Sequence, residues 1–451
     1  MSTAVVWFRS DLRLDANPAW AEATSSHDRV VALFVLDRRL WEPAGEHRRR
    51  LLAAHLGALD ARLARLGGRL RVEEGDPAEV VPAIAGVLGA DAVHWNADVG
   101  RYAVARDRRV AGALGGSGVR HWGRYVHAPG TILTGSGDPY RVFTPFSRSW
   151  EAADRPPRPV PGDAAVAADA GRGVPETGPA VMAGGEEAAA GRLEVFLERA
   201  DAYREERDRP DLDTTSRLSA DLKFGTIDPV TVVERADGPS PGRRAFVRQL
   251  CWRDFYAHLM AAFPETAHRA MRPEYEAVPW RDDPEGLAAW QEGRTGYPIV
   301  DAGMRQLATE GWMHNRVRMI AASFLVKDLL IDWRAGERHF RRLLVDADLP
   351  QNVGNWQWVA GTGADAAPYF RVFNPTTQAR KFDPGGDYVR RWVPELRGIA
   401  GPAVHTPWEL GPLELSAAGV TLGADYPAPI VDHGEARVAA LEAYERARSG
   451  G

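Results

Sequence analysis

The segment GWMHNRVRM, residues 311–319, combines side chains that are costly to bury without a ligand. At helical spacing, four of them project together: Trp312, Asn315, Arg316 and Met319. An indole, an amide, a guanidinium group and a thioether on one side of a helix indicate contact with a ligand. His314 has no serine or cysteine beside it, so the segment does not indicate a nucleophile pair.

Paired acids and amides follow in VDADLPQN, residues 345–352, shortly before NWQW. Two carboxylates can bind a metal ion or act as acid and base. Because no histidine or cysteine cluster accompanies them, we predict no metal site. The later segment YFRVFNPTTQ mixes aromatic rings with phosphate-binding groups, a combination that is typical of nucleic-acid contacts.

Two further segments each allow two interpretations. In TTSRLS, residues 214–219, hydroxyl groups and an arginine precede an apolar stretch. The hydroxyls favour an ordinary helix N-cap, although a helix start with free N–H groups could also hold a pyrophosphate. In QLCWRDFY, Gln249 and Trp252 share a helix face, which is either part of a hydrophobic core or a surface that contacts a nucleobase.

The bulk composition argues against membrane-spanning and disulfide-stabilised proteins. The chain has 451 residues, a net charge of −5 and 45% hydrophobic residues, which predicts a globular protein of two or three domains. No apolar run approaches the ~20 residues of a membrane helix, and we expect no secretory leader. The single cysteine, Cys251, cannot form an internal disulfide. We therefore predict a cytoplasmic monomer without a membrane partner.

Five short runs rich in β-branched or aromatic residues lie in the first part of the chain, at 4–8, 30–36, 70–73, 92–95 and 119–122. Helix-like segments separate them, which predicts an α/β domain with a five-stranded parallel, Rossmann-like sheet. The first run is not followed by GxGxxG, so the dinucleotide fingerprint is missing. The piece DLRL, residues 11–14, leaves this run where a ligand crevice would form.

Proline, glycine and alanine accumulate in residues 128–191, which predicts a connector that runs over the surface. Helical spacing prevails after it, so we predict an all-α C-terminal domain. The predicted domain boundaries are 1–127, 128–191 and 192–451.

Together, these segments resemble the DNA photolyase and cryptochrome superfamily, and within it the bacterial class I cyclobutane pyrimidine dimer photolyases. The resemblance is carried by WFRSDLRLDANPAW, TSRLS, CWRDFY, GYPIVDAGMRQL, GWMHNRVRMIAASFLVKDLLIDW, NWQWVAGTGADAAPYFRVFNPTTQ and KFD. It implies an antenna-binding domain at 1–127 and an FAD- and DNA-binding domain at 192–451.

The implied activity is that of a deoxyribodipyrimidine photo-lyase, a carbon–carbon lyase. Blue light excites reduced, anionic FAD, which passes an electron to a cyclobutane pyrimidine dimer flipped out of UV-damaged DNA. The resemblance also implies the residues that hold FAD: Tyr203, Thr215, Ser216, Arg217, Leu218, Ser219, Phe246, Arg253, Trp312, Asn315, Arg318, Asp346, Ala347, Asp348 and Asn352.

Among these, Asn352 matches the residue that faces the reactive nitrogen of the flavin ring, where an amide suits the reduced anionic form. Trp356, Trp333 and Trp280 match a chain of indoles that carries electrons to the flavin.

The resemblance implies a substrate pocket in which Trp252 and Trp358 sandwich the dimer, with Gln249, Asn315 and Met319 beside it. The dimer must leave the base stack to enter such a pocket. Contacts to the DNA strand are implied for Arg207, Arg316, Arg371 and Gln378.

Two departures from the family pattern bear on the details. Most bacterial members have glutamate at the position of Gln249, whereas relatives that repair the (6-4) photoproduct have glutamine there too. Those relatives, however, place two histidines where this chain has Asn315 and Met319. Cyclobutane dimers are therefore the expected substrate. Tyr102 and Ala103 replace an Asn-Glu pair that holds folate, which favours an 8-hydroxy-5-deazaflavin antenna over methenyltetrahydrofolate.

Three alternatives remain at the level of sequence. A cryptochrome-like blue-light photoreceptor would keep the same flavin pocket without repairing DNA. A (6-4) photolyase would differ in its lesion. An FAD oxidoreductase that uses a nicotinamide is disfavoured, because no second nucleotide motif is present.

Overall fold

A computed structural model describes residues 1–449, which form two compact units. The first, called here the sheet unit, comprises residues 1–204, 216–267 and 345–351. The second, the helical unit, comprises residues 205–215 and 268–344 and the chain from residue 352 onward. The units interleave along the chain, whereas the domain boundaries predicted from composition are contiguous.

As predicted, the sheet has five main parallel strands, and the structure gives their order as β3–β2–β1–β4–β5. The strands are β1 (Thr3–Phe8), β2 (Arg29–Leu36), β3 (Leu70–Glu74), β4 (Ala92–Asn96) and β5 (Gly118–His121). A two-residue strand, β6 (Ala165–Val166), also pairs in parallel with the start of β2. Val5 of β1 lies opposite Val31 and Val93, so β1 is central and is buried on both faces.

Helices cover both faces of this sheet. They are α1 (Pro18–Ser26), α2 (Arg38–Trp41), α3 (Glu46–Arg65), α4 (Pro77–Leu88) and α5 (Arg101–Leu114). Because side chains alternate along β1, Val6 packs with α1 and α3 on one face. Its neighbour Trp7 packs with α4 and α5 on the other.

The predicted connector is more structured than its composition indicated. It contains helix α6 (Phe143–Ala152), strand β6 and the start of α7 (Glu186–Leu197). Phe143, Phe146 and Trp150 recur at helical spacing and are buried, so this stretch is an amphipathic helix and not a surface linker. The surrounding prolines and glycines obscured that short pattern.

The rest of the chain to residue 449 is helical, as predicted. The helices are α8 (Tyr203–Glu206), α9 (Ser219–Phe224), α10 (Pro229–Ala236), α11 (Pro241–Ala262), α12 (Pro284–Glu292), α13 (Pro298–Glu310), α14 (Asn315–Ser323), α15 (Trp333–Leu343), α16 (Leu349–Ala360), α17 (Pro375–Phe382), α18 (Asp387–Trp392), α19 (Pro412–Ala417) and α20 (His433–Ser449). A π-helical turn, Phe324–Asp328, extends α14. Within residues 1–449, no helix has both the length and the apolar character needed to cross a bilayer.

The DLRL piece after β1 has a structural role. Arg13 is buried and donates to the backbone oxygens of Ala16, Gly123 and Gly225 at 3.0, 2.6 and 3.1 Å. It also pairs with Asp228 at 3.4 Å. A buried cation needs such partners, and here they fasten the loop after β1 to the chain around α9 and α10.

We predict that Arg13→Lys lowers the free energy of unfolding by about 2 to 4 kcal/mol, because a single ammonium cannot reach the carbonyls that the guanidinium fork serves. Urea unfolding measures the change. The matched control is Arg120→Lys on β5, where the arginine is exposed and little change is expected. Equal losses in the two variants would contradict the role of Arg13.

Candidate functional site

Both units contain residues for which the sequence predicted a role in the site. The sheet unit holds Tyr203, Ser216, Arg217, Leu218, Ser219, Phe246, Gln249, Trp252, Arg253, Asp346, Ala347 and Asp348. The helical unit holds Arg207, Thr215, Trp280, Trp312, Asn315, Arg316, Arg318, Met319, Trp333, Asn352, Trp356, Trp358, Arg371 and Gln378.

In the sheet unit, Arg253 of α11 is a buried hub. Its guanidinium donates to the backbone oxygens of Arg124, at 2.5 Å, and of Leu222, at 3.0 Å. It lies 3.7 Å from the carboxylate of Asp348, and its own backbone oxygen accepts a hydrogen bond from Gln351 at 2.8 Å. Arg253 therefore fixes the acidic segment 345–351 against α11.

Aromatic side chains surround two other predicted residues of this unit. Tyr203 and Phe246 lie edge to face, with ring centres 5.5 Å apart, and Phe196 packs against both. Trp252 stacks face to face on Phe143, with ring centres 3.7 Å apart and an angle of 5°. One face of the Trp252 indole is thus covered by a residue of the predicted connector, which the sequence reasoning missed.

Two threonine hydroxyls in the helical unit lack partners. The side-chain oxygens of Thr214 and Thr215 are buried and form no hydrogen bond within residues 1–449. The predicted capping role is wrong, since Leu218 occupies the N-cap of α9 and no side chain caps that helix. Asp213 and Arg217, on either side, adopt left-handed φ of 49° and 52°, a strained backbone that is common at functional sites.

Asn352 is the first residue of α16 that belongs to the helical unit, and hydrogen bonds fix the orientation of its side-chain amide. Its Nδ2 donates to the side-chain Oε1 of Glu337 at 2.9 Å and to the backbone oxygen of Glu337 at 3.1 Å. Both residues are buried. Burial raises the pKa of Glu337, whereas Arg341 acts in the opposite direction. The Nδ2 group is thus committed to Glu337, a partner that the sequence did not reveal.

The predicted cluster on α14 is partly engaged within the protein. Arg316 pairs with Asp208 at 2.9 Å, and the same aspartate lies 3.9 Å from Arg207. Asn315 and Met319 lie one turn apart and are in contact, with 3.7 Å between the amide nitrogen and the sulfur. His314 is the N-cap: its Nδ1 accepts a hydrogen bond from the backbone N–H of Arg316 at 3.2 Å.

The three predicted electron-transfer tryptophans differ in burial. Trp356 and Trp333 are buried, and Trp280 is half-buried with its ring centre 5.9 Å from that of Tyr444. Trp356 lies against Gly336 of α15, where a Cβ would stand 2.1 Å from its Cη2 atom. A glycine inside a helix is the sequence signal that could have shown this close approach.

A cavity of about 270 Å³ lies in the sheet unit at the carboxyl ends of β1, β2 and β4. The strand order reverses at β1, so this is the place where parallel sheets bind ligands. Its charged lining residues are Arg9, Arg48, Arg49, Arg106, Arg124 and Lys223, against Asp37, Asp98 and Asp348. Tyr102 and Ala103, which replace the folate-binding Asn-Glu pair of other family members, also line this cavity.

The cavity lining carries an excess of positive charge. Burial, with Arg48 and Arg124 acting in the same direction, lowers the pKa of Lys223 to about 7. Burial alone would raise the pKa of Asp98, yet Arg124 and Arg9 bring it down to about 2. An anionic ligand would relieve the repulsion among these cations.

Two family models match the chain. One, described as the FAD binding domain of DNA photolyase, matches residues 246–446, and the other, described as DNA photolyase, matches residues 4–162. The deoxyribodipyrimidine photo-lyase of Streptomyces griseus is 45% identical and that of Halobacterium salinarum 43%, over 99% and 98% of each pair of chains. The chain belongs to the DNA photolyase family.

This photolyase chain also matches a solved structure of the family. The crystal structure of a bacterial class III photolyase from Agrobacterium tumefaciens aligns with a TM-score of 0.93 and 41% identity, covering 100% of this chain and 98% of that one. The predicted family is confirmed, as is the predicted fold: a five-stranded parallel α/β domain and a helical FAD-binding domain.

The residues of this photolyase fit FAD. Thr214 and Thr215 offer buried, unpaired hydroxyls, which are costly unless a ligand meets them, and the hydroxyls and phosphates of FAD are suitable partners. Asn352 offers a buried amide whose orientation is set by Glu337. The individual FAD and DNA contacts assigned from sequence stay predictions.

We predict that acid destabilises this photolyase through His314. Burial lowers the pKa of His314 to about 4 from an ordinary 6.5, so the unfolded chain binds the proton first as the pH falls. The stability that depends on neutral His314 is complete above about pH 6.5 and decreases towards pH 4, by up to about 3 kcal/mol.

Urea unfolding of the wild type and of His314→Asn between pH 7 and pH 4 checks this. Asparagine caps a helix equally well and does not titrate, so the variant should show a shallower decline. The same pH dependence in both proteins would show that His314 is not the responsible group.

Proposed function

We propose that this photolyase acts as a deoxyribodipyrimidine photo-lyase on UV-damaged DNA, the activity predicted from the sequence and carried in the names of its relatives. When bound, reduced FAD supplies the light-driven electron that opens the cyclobutane ring and accepts it back afterwards. The remaining tasks fall to the chain: to hold the cofactor, to bind the extruded dimer and to exclude water.

The observation that carries the proposal is the buried contact between Asn352 and Glu337. With Nδ2 committed to Glu337, Oδ1 is the polar atom left for the cofactor. A carbonyl oxygen accepts a hydrogen bond, so it favours a flavin nitrogen that carries a proton, as the reduced ring does. An acidic side chain at this position would impose a charge instead. This arrangement favours repair over the photoreceptor alternative.

Trp252 and Trp358 are each proposed to stack on the lesion. Phe143 covers one face of Trp252, and the guanidinium of Arg248 lies 4.8 Å from the centre of the Phe143 ring. This backing holds the indole in place, so stacking on its other face needs little reordering. Asn315 and Met319 are an amide and a thioether where (6-4) enzymes place histidines, which supports a cyclobutane dimer as substrate.

We propose that Trp356, Trp333 and Trp280 carry an electron from the surface to the cofactor. Their order of burial supports this assignment, because the last member must meet a reductant in solvent and Trp280 is the half-buried one. The close packing of Trp356 against Gly336 fixes the position of its ring, which the resemblance places first in this series of tryptophans.

We propose that the cavity of the sheet unit binds an 8-hydroxy-5-deazaflavin antenna. Its aromatic lining and surplus of cations suit a planar, anionic ring system. The hydroxyl of Tyr102 donates to Asp37, and Ala103 has no polar side chain, so these two residues do not reproduce the Asn-Glu pair that holds folate. The predicted monomeric state and cytoplasmic location stay predictions from sequence.

The test of the main proposal is repair itself. Fully reduced protein under blue light should return oligonucleotides containing a cyclobutane dimer to monomeric pyrimidines, with no turnover in the dark. Replacing Trp358 by alanine should weaken binding to dimer-containing DNA about ten- to a hundredfold and leave FAD bound, because one stacking face is lost.

Trp408→Ala is the control, since this half-buried tryptophan packs against Tyr297 and has no proposed contact with DNA. Dimers left intact under illumination would reject the enzyme and favour the photoreceptor. Conversion of (6-4) photoproducts in their place would reject the assigned lesion. An unchanged preference for damaged DNA in Trp358→Ala would reject its stacking role.

For the antenna, we expect Lys223→Met to lower the affinity for 8-hydroxy-5-deazaflavin about tenfold, since a charge-assisted contact is lost. Titration monitored by the antenna absorption band gives the affinity. Arg108→Met, an exposed arginine on α5, is the control. Tighter binding of methenyltetrahydrofolate than of deazaflavin by the wild type would overturn the assignment.

A further inference from the structure

Lys327 is a fully buried lysine that the proposed photochemistry does not use. It lies on the π-helical turn Phe324–Asp328 and is 1% exposed. Its Nζ is 3.2 Å from the backbone oxygen of Ala360, 3.3 Å from that of Tyr369 and 3.4 Å from the centre of the Tyr444 ring. Two carbonyl dipoles and an aromatic face therefore surround the amino group.

No carboxylate among residues 1–449 pairs with Lys327. The adjacent acid, Asp328, is engaged with His433 of α20. Desolvation accordingly lowers the pKa of Lys327 well below its ordinary value. A methionine would fill the same space without the cost of burying a polar group, so packing alone does not explain a lysine here.

The two carbonyls belong to two elements with proposed roles in substrate binding. Ala360 is the last residue of α16, the helix that carries Trp358, and the carbonyl oxygens at a helix end need donors from outside the helix. Tyr369 lies in the segment 361–374, two residues before Arg371. The backbone oxygen of Trp358 accepts a hydrogen bond from Ala367 of this segment at 3.2 Å. Lys327 thus joins the end of α16 to the Arg371 segment.

We infer that Lys327 is a positioning residue for lesion binding, which holds Trp358 and Arg371 in a fixed relation through the backbone oxygens of Ala360 and Tyr369. This inference rests on the proposed contacts of Trp358 and Arg371 with DNA. Lys327 itself touches neither cofactor nor substrate in this scheme. Its loss should affect binding of the dimer and leave the light-driven step on bound DNA intact.

The test is Lys327→Met in the FAD-loaded, reduced protein. We expect affinity for dimer-containing DNA to fall about tenfold, because both carbonyls lose their hydrogen-bond donor. Turnover at saturating DNA and light should stay within about twofold of the wild type, as should FAD content and photoreduction. This split separates a positioning role from general damage to the fold.

The matched control is Val326→Ala, a buried neighbour on the same turn whose truncation costs stability without touching the two carbonyls. It should lower the melting temperature by a few degrees and leave the affinity unchanged. Lys327→Gln, which retains one donor, replaces Lys327→Met if the latter does not accumulate as folded protein, and about a threefold loss is expected.

An affinity loss in Lys327→Met no greater than that in Val326→Ala would overturn the inference. A fall in turnover at saturating DNA as large as the fall in affinity would also overturn it. Trp358→Ala and Arg371→Ala, measured alongside, test the proposed substrate contacts separately. If these two weaken binding and Lys327→Met does not, the positioning role fails while the proposed site stands. If neither Trp358→Ala nor Arg371→Ala weakens binding, the proposed contacts with DNA fail. A loss of affinity seen only in Lys327→Met would then have another cause and would also reject the inference.

Discussion

Arg253 directs its guanidinium towards the backbone oxygens of Arg124 and Leu222 and lies 3.7 Å from Asp348, all in the interior of the sheet unit. A buried guanidinium must satisfy its donors or the fold loses several kcal/mol. Meeting that requirement brings together α11, α9, the chain just after β5 and the segment 345–351. Asp348, one of the acids that line the cavity, is thereby held against the helix that carries Trp252.

The same constraint recurs with other solutions. Arg13 is satisfied by carbonyl oxygens from three parts of the chain, and Lys327 by two carbonyls and a ring. In the helical unit, Glu337 satisfies Asn352 and in doing so orients its amide. Backbone oxygens are the common partner, because they can be supplied wherever a helix or strand ends, independently of side-chain type. Positions with proposed functional roles are thereby fixed by residues that need not touch cofactor or substrate.

Aromatic packing adds a second level of organisation. Phe143 covers one face of Trp252 and so leaves a single face for a base. Gly336 admits Trp356 to a distance that no other residue would permit. In each case a ring whose chemistry is proposed to matter is immobilised by a neighbour with no chemistry of its own. Rigid placement of this kind lowers the ordering cost of stacking and keeps distances for electron transfer constant.

Sequence alone determined the family, the parallel sheet and the helical remainder of the chain, because β-branched runs, helical spacing and long collinear motifs are local signals. It also predicted the residue types at the site. It did not reveal Glu337 as the partner of Asn352, Phe143 as the backing of Trp252, or the structural role of Arg13. These pairings join residues 15, 109 and 110 or more positions apart, and only folding brings them into contact. The helix at Phe143 was also missed, since its short apolar pattern lies among prolines and glycines. Tertiary structure decided which polar groups are satisfied internally and which, like the hydroxyls of Thr214 and Thr215, are left for a ligand.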